Sequence, residues 1–246
     1  MTVSSGSSAD RRARRLAVAV TAAGLLAAGC SGSQEADVSK SPKSRPDEQV
    51  RTGLSSALTR LGRTGEARIV TAGGSRLTPM AAPFLKSWRV YQVDYRQSSR
   101  PVMFHVALGG SQAYLLTGDP AAFGKMTKAD GSSVGEATTA AAVATLYVQT
   151  TRPSGKLSYV VNGVDQIKFR PNISGSAAAR RDQIVSEYRP VIKPPAAVPK
   201  GRDFAVTVHV VRDRELIRRD LTISPRGDVE DKPKTVVSDL PVPYVL

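Results

Sequence analysis

The sequence predicts an α+β body in which helices pack on curved antiparallel sheets. Three observations lead there. Apolar residues recur at three- and four-residue steps in some segments and alternate with polar ones in others. Glycine-bearing turns join alternating segments directly, which makes neighbouring strands antiparallel. The helical segments stand apart from the groups of strands instead of separating each pair, which argues against a parallel sheet.

Taken in order, Asp47 is the expected cap of a helix over 48–62. Val50, Leu54, Leu58 and Leu61 share one face, and Gly62 and Gly65 end it. A short strand is expected at 67–71. Over 88–95 the alternation sets Trp88, Val90, Gln92 and Asp94 against Arg89, Tyr91, Val93 and Tyr95. Strands at 102–108 and 113–116 flank Gly109-Gly110, a hairpin signal. A helical turn fits 121–128.

The second half begins with an Ala-rich helix over 136–150, with Val143, Leu146 and Tyr147 on one face. Strands are expected at 157–161 and 166–169. A helix over 176–188 turns Ile184, Val185 and Tyr188 inward. Arg189-Pro190 and Pro194-Pro195 read as a rigid link. Strands at 204–211 and 215–224 follow. The second of these points Ile217, Arg219, Leu221 and Ile223 one way and Arg218, Asp220 and Thr222 the other. Arg226-Gly227-Asp228 makes a turn, and a last strand is expected at 235–240. The element order of this half resembles nuclear-transport-factor and cystatin-like cone folds, with helices on a strongly curved antiparallel sheet. The first half fits a second, reduced copy. The implied division is residues 50–132 and 133–246, two cone-like modules.

A different layout precedes the body. Arg11, Arg12, Arg14 and Arg15 lead into an apolar run over 16–28, closed by Ala27-Ala28-Gly29-Cys30. Charged start, short apolar run and small-residue cut site are the physical requirements of an export signal. The run falls short of the ~20 apolar residues that span a bilayer. These residues resemble the lipobox of bacterial lipoproteins, usually Leu-Ala-Gly-Cys, with Ala27 in place of the common Leu. The resemblance implies a signal peptide over 1–29, cleavage before Cys30, a diacylglyceryl thioether on Cys30, and residence on the extracytoplasmic face of the bacterial cell membrane. Arg14-Arg15 leaves the twin-arginine and general export routes both open. Cys30 is the only cysteine, so no intrachain disulfide can form. Residues 30–49 are polar and read as a disordered stalk.

The formal charge is +14 over 246 residues; removing 1–29 takes away four arginines and one aspartate and leaves +11. Lys and Arg are spread over both halves without interleaved aromatics, which argues against a nucleic-acid reader. A diffuse positive field suits anionic lipid or wall polymer, in a weak and salt-sensitive way. An envelope protein is the other expected partner.

Gly131-Ser132-Ser133-Val134-Gly135 matches the pattern of a hydrolase nucleophile elbow, and His209 follows it. The preceding Lys125 to Asp130 is polar, whereas an elbow needs an apolar feeding strand. Ser133 and Glu136 fit a helix capping box better. His105 and His209 lie mid-strand, without the three or four ligands of a metal site, and are expected to be partly exposed. Asp94 falls on the opposite sheet face from Tyr91 and Tyr95, which counts against an acid–tyrosine pair. Asn172-Ile173-Ser174 is a sequon without meaning outside a eukaryotic secretory route. No Walker or dinucleotide loop is present, and no cofactor is expected. The predicted function is therefore a tethered binding or scaffold lipoprotein, as in some conjugation machinery. A cell-envelope hydrolase using Ser133, or a pocket enzyme in the second half, is the alternative.

Overall fold

In the computed structural model of the chain, the residues described are 46–96 and 101–243. The signal segment, Cys30 and the stalk up to residue 45 lie outside them. Helix α1 (Pro46–Arg60) forms where Leu54, Ala57 and Leu58 fall three and four residues apart, and all three are buried. It starts four residues before the body boundary drawn from the sequence. Gly62, at φ +74°, turns the chain out of the helix. Leu61, expected on the buried face, lies past the last helical residue and is exposed.

The expected strand at 67–71 is helical. Helix α2 (Thr64–Thr71) buries Ala67 and Val70, three residues apart, beside α1. Arg51 of α1 clamps the end of α2 by donating to the carbonyls of Val70 (2.7 Å) and Ser75 (2.8 Å). Five alternating or helical residues decide little alone, and here packing on α1 decides.

The first sheet is antiparallel, in the order β1 (Ser75–Met80), β2 (Arg89–Tyr95), β3 (Val102–Gly109) and β4 (Gln112–Leu115). β1 was not expected. It is an edge strand and carries Pro79, which an edge tolerates. Tyr91, Val93, Phe104 and Val106 pack with Leu54, Leu58 and Val70 of α1 and α2. Val90 and Ala107 point the other way, into the largest core cluster. Both faces of this sheet are therefore covered.

Helices α3 (Pro120–Asp130) and α4 (Ala137–Thr150) follow. α3 is a full helix where the sequence suggested a turn. The second sheet runs β5 (Ser158–Val161), β7 (Asp203–Arg212), β8 (Glu215–Ile223) and β9 (Val229–Val237). β6 (Ala197–Lys200) shares the β7 edge with β5. Every pairing in both sheets is antiparallel, and neither sheet closes. The α+β class follows from this. Ile217, Leu221 and Ile223 are buried on the α4 side, while Arg218 is exposed and Asp220 half-buried on the other, as the alternation requires. Helix α5 (Gly175–Tyr188) seats Ile184 with Val211, Leu216 and Val237 on that other side.

Three expectations fail here. Residues 166–169 form no strand; a 3-10 turn (Val164–Gln166) precedes them, and the Gln166 side chain accepts the Asn162 amide at 2.8 Å. β6 lies just past the proline link at 189–195, where no strand was expected. The last strand starts at Val229, because an edge strand can be polar throughout and so shows no alternation. The described residues belong to one compact unit. Its largest core cluster joins Trp88, Ala107, Phe123 and Met126 to Tyr147, Val208 and Leu221, so side chains from either side of residue 133 share it.

The β3–β4 hairpin holds one close backbone approach. The Trp88 ring stacks on Tyr114 with centroids 5.1 Å apart and lies directly over Gly109. A Cβ at Gly109 would overlap the indole, which is buried and cannot swing away. Overpacking of this kind costs about 1–3 kcal/mol. Gly109→Ala is expected to lower the urea midpoint accordingly and to shift the fluorescence of Trp88, the only tryptophan. Unchanged stability in that variant would mean the ring has room to move.

Candidate functional site

The G-x-S-x-G stretch resolves into structural pieces. Gly131, at φ +64°, ends α3: its amide donates to the Lys128 carbonyl and the Ser132 amide to that of Thr127, a Schellman-type close. The Ser132 hydroxyl is buried and donates to Asp130 (2.9 Å). Ser133 is exposed, and no hydrogen bond joins it to either histidine among the described residues. The Val134 amide donates to the Pro225 carbonyl (2.9 Å). The capping box is not formed. Helix α4 starts at Ala137 with Glu136 as its cap residue, three positions after Ser133, and no side chain caps it. Arg226-Gly227-Asp228 is the expected turn, with Gly227 at φ +80° and the Ser224 hydroxyl accepting the Arg226 and Asp228 amides. Asn172 lies in an exposed turn at positive φ.

Asp94 and Gln92 share one face of β2, joined by a hydrogen bond from Gln92 Nε2 to Asp94 Oδ2 (2.8 Å). Tyr91 packs with α1 on the other face. The acid and the tyrosine are separated, as the two-residue period requires.

Both histidines are buried, contrary to the expected partial exposure: His105 is 2% exposed and His209 4%. Each occupies a strand with neighbours on both sides in its sheet and layers over both faces, which the sequence around one histidine does not reveal. The Thr117 hydroxyl accepts the His105 amide (2.7 Å) and lies 3.3 Å from Nδ1. Burial, and then the charge of Arg152, push His105 down to about 3. Neither ring nitrogen of His209 has a partner. Burial lowers its pKa, Arg218 adds to the effect, and Asp220 opposes it.

The most distinctive chemistry lies where α4 ends. Thr150 and Thr151 turn their hydroxyls back onto the carbonyls of Leu146 (2.8 Å) and Tyr147 (2.7 Å). Arg152 follows, and Pro153 prevents the helix from continuing. Arg152 Nη1 donates to the Ser158 carbonyl of β5 at 2.5 Å and Nη2 touches the Met103 sulfur of β3, which fixes the guanidinium between the two sheets. Two clefts of about 260 Å³ each meet at Arg152, Ser158 and Val210. The first is lined by Met80, Gln92, His105, Gln149 and Tyr159. The second is lined by Gly118, Pro120, Arg212, Arg219 and Pro233. Burial lowers the Arg152 pKa, and Asp94 partly offsets this. Arg212 is paired with Glu215 (3.5 Å). Arg219 is paired through two contacts with Asp231 and sits 5.6 Å from the Tyr147 ring centroid. Arg152 has no carboxylate partner within ion-pair distance among the described residues.

Arg219 was visible in the sequence as a charged residue in phase with Ile217, Leu221 and Ile223. Arg152 gave no comparable signal, because it stands just past a helix end, where no periodicity applies. A larger hollow of about 520 Å³ lies between 162–169 and 185–194, and Val164, Phe169, Val185 and Ile192 give it an apolar lining. Among the described residues no group of His, Cys, Asp or Glu could hold a metal ion. No family model, curated protein or solved structure matches this chain.

Proposed function

We propose that this chain is exported, cut before Cys30 and lipid-anchored there on the outer face of a bacterial membrane, and that its body is a binding module. The observation that carries the tether is the run from Arg11 through 16–28 to Ala27-Ala28-Gly29-Cys30, with the only cysteine at its end. A diacylglyceryl cysteine carries two chains, and two chains give stable anchoring where one is marginal. Among the described residues no helix is long and apolar enough to cross a membrane. Support for binding comes from the paired clefts at Arg152, whose polar groups face open volume. Ser133, by contrast, makes no hydrogen bond to either histidine among the described residues.

Cys30→Ser is expected to move the protein from the membrane fraction to the medium, or to leave an unprocessed precursor. Fractionation with immunoblotting reads both results. Membrane attachment at unchanged size in that variant would reject the tether.

A further inference from the structure

We propose that the paired cleft at Arg152 binds a small ligand carrying a phosphate group. The phosphate would be met by Arg152, Arg212 and Arg219 in the second cleft, and the uncharged remainder of the ligand would extend into the first. The inference deepens the binding-module reading and rests on it, but not on the tether.

The starting point is Arg152. A half-buried guanidinium without a carboxylate is a costly arrangement, since a desolvated charge is stabilised only by pairing and hydrogen bonding. Nη1 is satisfied by the Ser158 carbonyl and Nη2 touches the Met103 sulfur, a weak acceptor, so the fork is oriented while its strong hydrogen-bonding capacity is only partly used. Arg212 and Arg219 line the same cleft, each already balanced by one carboxylate. The three guanidiniums and two carboxylates leave one net positive charge. The amino end of α3 and the carboxyl end of α4 both border the cleft through Pro120 and Thr151, and their dipoles have opposite sign. The guanidiniums therefore set the field.

Geometry selects the anion. Donors from the segment just past α4 and from β7 and β8 approach from different elements, which suits a tetrahedral oxyanion better than a planar carboxylate held by one fork. The Ser158 hydroxyl lines both clefts and makes no hydrogen bond within the described residues. In the first cleft Gln149 is likewise without a partner, and Gln92, His105 and Tyr159 are uncharged beside it. His105 contributes no charge there at neutral pH. A phosphate at one end and a hydroxyl-bearing body at the other match this distribution of groups.

The experiment uses the chain from residue 30 with Cys30→Ser, so that no lipid is attached, and glycerol 3-phosphate, inorganic phosphate and glycerol as probes. Calorimetric titration and thermal unfolding are both read. Glycerol 3-phosphate is expected to bind and raise Tm, inorganic phosphate to bind more weakly, and glycerol to do neither. Arg152→Gln should weaken phosphate binding by at least roughly tenfold, in keeping with loss of a charge-assisted, bidentate contact. Its unliganded Tm should stay level or rise, because the variant removes a desolvated charge, whereas a purely structural arginine would give a fall. Arg212→Gln changes a more exposed side chain and should weaken binding without loss of fold. Arg218→Gln, on the other face of β8, should change nothing. Phosphatidylglycerol vesicles form a separate arm. Vesicle binding abolished by Arg152→Gln supports the site and makes a lipid headgroup the source; vesicle binding that responds to salt but not to that variant counts against it. The proposal is overturned if neither phosphate probe binds, or if Arg152→Gln and Arg212→Gln leave binding unchanged. That failure would leave Cys30-dependent attachment standing, and loss of attachment would leave this titration readable.

Discussion

Asp130→Ala is expected to cost about 3–5 kcal/mol: the Trp88 amide and the Ser132 hydroxyl are left buried without a partner, at about 1–3 kcal/mol each, while water replaces most of what the amides of exposed Lys86 and Ser87 lose. The carboxylate, 7% exposed, sits at the last residue of α3 and faces the loop that leads into β2. The amides of Lys86, Ser87 and Trp88 all donate to it, at 2.7–3.1 Å, together with the hydroxyls of Ser87 and Ser132. Burial alone would raise its pKa. The hydrogen bonds outweigh that, those from the Ser87 and Lys86 amides first, and hold it down at about 2. Because the folded value lies below the unfolded one, the stabilisation is present above about pH 4 and lost between there and pH 2. Asp130→Asn keeps the shape and, with its oxygen at the Oδ1 position, the Ser87 and Trp88 amides, while its Nδ2 faces the Lys86 amide and the Ser132 hydroxyl, so it should lose less. Urea unfolding followed through Trp88 measures both. A loss under 1 kcal/mol in Asp130→Ala would show that water satisfies the amides and that the carboxylate does not hold the loop.

Asp130 also marks how far the sequence could be read. Its neighbours drew attention as a serine motif, yet the buried group is Ser132 and the anchoring group the carboxylate before it. Nothing in the local pattern says that a loop over forty residues earlier donates three amides to that point. The strands β7 and β8 and the helices α1 and α4 were legible because their burial is one-sided in phase, as with Leu54 and Leu58 or Ile217 and Leu221. Three of the edge strands were not, although β4 and β5, which also lie at edges, were. β1 and β6 carry Pro79 and Pro199, and β9 is polar over 230–234, so none of them alternates in the way a covered strand must. Residues 67–71 read as a strand and are helical, because five residues do not separate the two periods and α1 supplies a surface for Ala67 and Val70. The cleft was hidden for a different reason. It lies where residues from α4, β3, β5 and β8 meet, and no segment of the chain contains more than one wall of it.

Stability should fall steeply as pH drops from about 6.5 toward 4, well above the range in which Asp130 titrates. The cause is the pair of buried histidines. His105 is held at about 3 and His209 is also lowered, in both cases first by burial. In the unfolded chain each binds a proton near pH 6.5, so between the two values the unfolded state carries the extra protons. The sign follows: stability rises with pH in this window and is lost on acidification. One histidine contributes a limiting slope of ~1.4 kcal/mol per pH unit, approached only below its unfolded pKa, which makes ~2.3 kcal/mol from His105 alone between pH 6.5 and 4.5. That is a large share of the 5–15 kcal/mol typical of a folded domain. Arg152 beside His105 and Arg218 near His209 oppose protonation, and Asp220 favours it at His209 only in part. His105→Gln should remove its share of the slope. His209→Leu should flatten the curve further and raise stability at pH 7.5, because two partnerless ring nitrogens leave the interior. Urea midpoints at pH 7.5, 6.5, 5.5 and 4.5 for the parent, each variant and the double variant give the comparison. A parent curve flat across this range would show that water reaches the imidazoles. An equal slope in parent and double variant would place the protons on other groups.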